Sequence, residues 1–331
     1  MENAEHPSST RAEFAVEDYD LATTLTSGQA FRWRRVGGNE GETAAWESVL
    51  HGRWVRLRAV GESILAETAV PQTDWRWLGV YLQSGVRLAD VVSTFPKDAP
   101  LGAAVDGCRG LRLLRQDPWE CLASFILSST KRILQIQQCI DLLCGRLGTP
   151  VAHGSAVGIQ FSFPGPAVVA GGDESLLRDC KMGFRAPYLL QAARSVDSGR
   201  LDLTALDELP TEIAREHLMT LHGVGRKIAD CVLLFAYGRQ DAFPADVWIL
   251  KALRLLYFPG RNPSPQKLQR FVATHFGPNA GYAQQYLFHY ARVRLGSSLG
   301  KPAVRRPKSV PPARRRTSSA RRGHTPNSSL S

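Results

Sequence analysis

Leu218-Met-Thr-Leu-His-Gly223-Val-Gly225-Arg-Lys227-Ile-Ala-Asp-Cys231 is the stretch on which the reading of the fold turns. One helix, predicted over 211–221, runs out near Leu221, a turn with two glycines follows, and a second helix is predicted from Arg226 to Tyr237. Glycine tolerates positive φ and lets backbone approach a neighbour closely. The free N–H groups of the second helix's first turn then face outward, an anion site suited to a phosphate. An ordinary helix–helix turn closed by glycine would use the same residue types.

Lys227 sits in the first turn of that second helix, where the helix dipole disfavours a cation. Such a position, if partly desolvated, is expected to lower the pKa of the amine and leave more of it free to attack an electrophilic carbon and form a Schiff base. A lysine that merely touches phosphate is the plainer alternative. Nineteen residues on comes Phe243-Pro-Ala-Asp246-Val-Trp248. Pro244 biases Phe243 toward extended backbone, and Asp246 falls where a helix N-cap is expected. Capping alone would explain it, but a carboxylate beside an amine would also stabilise a cationic sugar.

Outward from this centre the chain changes character. From Phe14 to about Val70, Phe31-Arg-Trp-Arg-Arg, Ala45-Trp-Glu-Ser-Val-Leu, Trp54-Val-Arg-Leu-Arg-Ala-Val and Ser63-Ile-Leu-Ala read as strands punctuated by glycines. Beyond Thr73 the pattern is helical, with Asp117-Pro118-Trp-Glu120 a clear start. The fold class expected is α+β, an N-terminal antiparallel β-sheet domain followed by a mostly α-helical domain containing a helix-hairpin-helix. The divisions expected are a flexible leader over 1–12, the sheet domain over 13–100, the helical domain over 101–298, and a disordered basic tail over 299–331.

Composition bounds the rest. The 331 residues are 44% hydrophobic and 21% charged, enough for a packed core. The net charge of +11 is concentrated at the end, where nine Lys and Arg from Lys301 to Arg322 meet no acid and leave +2 for the first 300 residues. A polybasic arm of this kind could hold DNA non-specifically or simply solubilise the chain. Six scattered cysteines form no C-x-x-C pair, so no zinc ribbon is signalled, and no apolar run approaches a membrane span. A reducing, intracellular compartment is expected, cytoplasm or nucleoid in a bacterium and nucleus in a eukaryote.

The form L-x-G-V-G-x-K-x-A-D-C, followed by a Pro-x-Asp-Val helix start, resembles the helix-hairpin-helix, Gly/Pro-Asp DNA glycosylase superfamily. Within it the chain most resembles the 8-oxoguanine DNA glycosylase/AP lyase family, from about Leu21 to about Arg294. The resemblance implies that Lys227 is the nucleophile at the sugar C1′ and Asp246 its acidic partner. It implies a base pocket in which Gly28, within Ser27-Gly-Gln-Ala-Phe-Arg-Trp33, offers its carbonyl to the extra N7 proton of 8-oxoguanine. Gln284 would read the Watson–Crick edge, Phe288 would stack on the base, and Cys231 would face its other side. Gln284 and Phe288 are spaced i, i+4 and so share a helix face, although Cys231 and Phe288 alone would read as core.

The resemblance further implies that Phe184 plugs the vacated stack and Arg185 contacts the orphaned cytosine, with Gly223 and Gly225 presenting the hairpin to phosphate. The chain departs from the family where Thr130 replaces an Asn and Gln135 an Arg that contact the cytosine, and where Trp248 replaces a phosphate-contacting His. Preference for cytosine opposite the lesion is therefore in doubt. The implied partner is double-stranded DNA holding a damaged purine, met by a monomer with no membrane association, and the chemistry calls for no cofactor and no metal. The alternatives are a monofunctional alkylpurine glycosylase, which Lys227 argues against, and a non-catalytic helix-hairpin-helix DNA-binding protein.

Overall fold

A computed structural model describes residues 9–37, 44–129, 131–154 and 160–295. Five strands form one antiparallel sheet in the order β1-β5-β4-β3-β2: β1 (Ser9–Ala15), β2 (Arg34–Val36), β3 (Ala45–Leu50), β4 (Arg53–Val60) and β5 (Ser63–Gln72). Central pairs such as Leu57 with Ala66 put apolar side chains on one face, as the alternating sequence requires.

Three expectations for this region need correction. The first strand starts at Ser9, inside the stretch read as a flexible leader, because residues 11–15 find a partner edge in Ser63–Glu67. A helix, α1 (Leu21–Thr26), interrupts the stretch read as strands; Asp20 caps it by accepting from the Thr23 backbone N–H at 2.8 Å. Most of Phe31-Arg-Trp-Arg-Arg is not strand, because its aromatic rings plunge into the protein. Phe31 meets Phe125 edge to face at 5.4 Å, and the Trp33 indole donates to the Tyr81 hydroxyl at 2.9 Å.

The helices follow in order: α2 (Arg76–Leu82), α3 (Leu88–Ser93), α4 (Ala99–Gly107), α5 (Pro118–Ser128), α6 (Ile133–Leu147), α7 (Pro166–Ala170) and α8 (Glu174–Asp179). Then come α9 (Ala186–Asp197), α10 (Thr211–Met219), α11 (Arg226–Phe235), α12 (Val247–Tyr257), α13 (Pro265–His275) and α14 (Ala280–Arg294). Two apolar cores result. The sheet, α1 and α2 share one, with Trp33, Leu57, Ile64, Leu78 and Leu82 at its centre. The helices share the other, to which Phe31, Leu88, Phe95 and Leu101 already belong, while Leu114 packs in the first, so the two cores interleave along the chain.

Three helices run through the helical core and carry the chemistry described below. In α5 Asp117 caps the Glu120 N–H and Pro118 opens the first turn, and residues from Cys121 to Leu127 are all buried. α11 is buried from Ile228 to Phe235, and α14 from Ala280 to Leu287. Phe125 of α5 stacks on Phe235 of α11 with centroids 5.5 Å apart.

Candidate active site

The turn between α10 and α11 is held by sterics and by charge. Gly223 has φ +84°, and a Cβ there would lie 2.5 Å from the Tyr188 ring, so the position demands glycine twice over. Gly225 precedes α11 with open space around it, and no side chain caps that helix. Its first-turn N–H groups thus follow an exposed bend that contains Gly223 and Gly225. Behind the bend, Arg215 of α10 donates Nε to Asp230 Oδ1 of α11 at 2.5 Å, with both side chains about 5% exposed. Glu212 joins Arg215 and Arg226 in the same network. Sequence reading assigned this cluster no role.

Lys227 projects from the first turn of α11 into a cleft of about 430 Å³. Its Nζ donates to Ser128 Oγ at 3.4 Å and lies 5.2 Å from the centroid of the Phe125 ring. Ser128 spends its own proton on the Phe125 carbonyl at 2.7 Å, which leaves a lone pair for the amine. Asp246 lines the same cleft at the start of α12 and accepts from the Ile249 N–H at 2.8 Å. Burial pushes its carboxyl above the ordinary range, against the lowering effects of that backbone hydrogen bond and the Lys227 charge. Capping and chemistry, weighed as alternatives in the sequence, are compatible: one oxygen caps while the carboxylate faces the amine's field.

Gly28, Cys231, Gln284 and Phe288 line this cleft too, so residues spread over some 260 positions meet at one place. Gly28 has φ +87° and sits against the Phe288 ring, 3.3 Å from where its Cβ would be. Its neighbour Gln29 is fully buried and rivets the segment, donating to the Thr24 and Arg112 carbonyls and accepting from the Leu114 N–H at 2.7 Å. Gln284 donates Nε2 to the Pro244 carbonyl at 3.1 Å, which fixes the amide orientation. Its Oε1 is buried beside the cleft with no hydrogen-bond donor among the described residues. Cys231 remains a thiol, its pKa pushed up to about 11 chiefly by burial.

The rim residues behave less uniformly. Phe184 stands on a single 3₁₀ turn, 55% exposed, the form a plug requires. Trp248 flanks the mouth on the first turn of α12, half-exposed, with Lys251 Nζ 5.8 Å from its ring. Arg185 departs from the outward fork the sequence suggested. It is buried, lies 4.2 Å over the Phe184 ring and donates to the Ser129 carbonyl. In this conformation it packs over the Phe184 ring and satisfies the carbonyl at the end of α5, which needs a donor. Gln135 likewise turns to its own helix, accepting from the Arg132 N–H at 2.9 Å, a cap for α6 in place of a contact with the opposite base. Thr130 lies outside the described residues. Sequence reading missed Ser128, Phe125, Pro244 and Arg292 as cleft residues; the spacing 284, 288, 292 on α14 carried a signal for the last.

Fold and cleft together define a helical DNA glycosylase class of protein, and comparison with known proteins narrows it. Residues 11–122 match the sequence profile of the 8-oxoguanine DNA glycosylase N-terminal domain. A probable N-glycosylase/DNA lyase of Methanothermobacter thermautotrophicus is 32% identical over 302 residues, covering 84% of this chain and 95% of that protein. The structure of MBOgg1 in complex with a low-affinity DNA ligand superposes with a TM-score of 0.79 at 36% identity, covering 86% of this chain and 96% of that one. The Clostridium acetobutylicum 8-oxoguanine glycosylase/lyase, bound to double-stranded DNA with cytosine opposite 8-oxoG, gives 0.76 at 31% identity, covering 84% and 93%. The chain belongs to the 8-oxoguanine DNA glycosylase/lyase family. Among the described residues no helix is long and apolar enough to cross a membrane.

Proposed function

We propose that this chain is a bifunctional DNA glycosylase/AP lyase that excises 8-oxoguanine from duplex DNA. The observation that carries the proposal is the convergence of Lys227 and Asp246 on the cleft that Gly28, Cys231, Gln284 and Phe288 line. The target nucleotide leaves the stack, Phe184 fills the gap, and the base enters the cleft. Gln284 Oε1 accepts from the guanine N1–H and N2–H edge, Phe288 supplies a stacking face, and the Gly28 carbonyl accepts from the N7–H that only the oxidised base carries.

Lys227 Nζ, as the free amine, then attacks C1′. The C1′–N9 bond breaks, its electron pair departs with the base, and the base takes up a proton. Ionised Asp246 stabilises the cationic sugar through this step. Ring opening gives an imine between Nζ and C1′. Loss of a C2′ proton then expels the 3′-phosphate, which nicks the strand, and water releases the lysine. Borohydride reduces the imine, so wild-type enzyme should become covalently linked to an 8-oxoguanine duplex and Lys227→Gln should not. Base release without any trapped adduct from the wild type would leave a monofunctional glycosylase, and binding with neither adduct nor base release would leave a DNA-binding module. With Gln135 spent on its own helix and Arg185 on Ser129, rates opposite the four bases are expected to differ by less than about tenfold.

A further inference from the structure

Gly28 can tell an oxidised purine from an ordinary one only if its carbonyl is held still, and among the described residues no backbone hydrogen bond reaches that carbonyl. The two preceding carbonyls are gripped from α14: Gln285 Nε2 donates to Ser27 O at 3.2 Å, and Arg292 Nη2 donates to Thr26 O at 2.5 Å. Arg292 lines the cleft, its guanidinium 5.7 Å over the Phe288 ring. Its other terminal nitrogen, Nη1, lies 2.8 Å from the point a Cβ on residue 28 would occupy, and is enclosed with no acceptor. A partly buried guanidinium with one terminal nitrogen unsatisfied is a poor device for stability, since a methionine of comparable reach would fill the space without desolvating a charge. Burial accordingly lowers the Arg292 pKa from its ordinary value.

We infer that Arg292 is a specificity-determining positioning residue: it clamps the 26–28 segment against α14 and so fixes the Gly28 carbonyl where an N7–H must meet it. One helix then supplies the reader of the base edge, the stacking ring and, a turn further on, the clamp for the N7 acceptor. The inference rests on the reading of Gly28 given above.

The test separates the two. In a Lys227→Gln background, which binds without reacting, affinity is measured for duplexes carrying 8-oxoguanine, guanine or a tetrahydrofuran abasic analogue. Lys227→Gln alone should prefer 8-oxoguanine over guanine; no preference there would defeat the underlying reading of the pocket. Adding Arg292→Met should shrink that preference at least fivefold and leave tetrahydrofuran binding within twofold. Arg292→Lys, which keeps a donor for Thr26 O, should restore much of the preference. In otherwise wild-type enzyme, Arg292→Met should slow 8-oxoguanine excision at least tenfold and leave cleavage of a preformed abasic site within twofold. An unchanged preference, or equal losses on all three duplexes, would overturn the role of Arg292.

Discussion

At the scale of single residues, Asp246 shows how one side chain serves two ends. Its carboxyl is raised by burial, so the folded state binds its proton at higher pH than the unfolded chain does. The sign follows: ionising a group whose folded pKa exceeds its unfolded value costs stability as pH rises through the interval between them. Asp246→Asn removes that cost and keeps an N-cap as good as aspartate. The variant should therefore be as stable to urea as the wild type, or more so, while single-turnover excision falls by at least about 100-fold, the scale of a lost electrostatic stabiliser. The wild-type rate should also show an acid limb above the usual aspartate range, as the carboxylate is lost with falling pH, and Asn should abolish it. A variant destabilised in proportion to its lost activity would mean that Asp246 only caps. The capping role was legible in Pro244 and the spacing. Its place beside the amine was offered by the family resemblance and not by local spacing, because it depends on what packs into the cleft, where Lys227 meets Ser128 and Phe125 of a helix about a hundred positions earlier.

At the scale of elements, the α10–α11 pair was the most readable part of the chain, since glycine turns and helix starts are written locally. What locks it is tertiary. Arg215 and Asp230 form an ion pair buried on both sides, three positions beyond the lysine on the same helix. Breaking such a pair from one side strands a charge, at a cost of about 3–5 kcal/mol, whereas replacing both partners with apolar residues is often neutral. Arg215→Met should thus lower the urea midpoint sharply, and Arg215→Met with Asp230→Leu should recover most of it. A double variant as unstable as the sum of its two singles would show that each residue acts through other contacts. The N-terminal region was less readable at this scale. Arg32, Trp33 and their neighbours have strand propensity, but Phe31 and Trp33 gain more by burying their rings than the backbone gains by pairing. The short helix at Leu21 hid in the same way, its one signal being the Asp20 cap.

At the scale of the whole molecule, class and site were legible because motif residues at 28, 227, 246, 284 and 288 each carried a recognisable neighbourhood. The partners of Arg185 and Gln135 were not, because these side chains sit on a 3₁₀ turn and in the first turn of a helix, where only packing decides what they meet. Charge is a property of this scale alone. The first 300 residues are nearly neutral and the tail expected over 299–331, which lies outside the described residues, holds nine cations without an acid, so any long-range pull toward DNA is expected to come from that segment. Counterion release makes each phosphate neutralised contribute about −0.9 to the slope of log K against log salt on duplex DNA. Removing residues 299–331 should therefore weaken binding to undamaged duplex at least tenfold at low salt, reduce the slope by several units, and bring the two affinities together as salt rises. Single-turnover excision at saturating enzyme should be unchanged, because neither Lys227 nor the cleft is touched. Parallel salt plots for the two forms, measured by fluorescence anisotropy on one labelled duplex, would show that the basic arm takes no part in holding DNA.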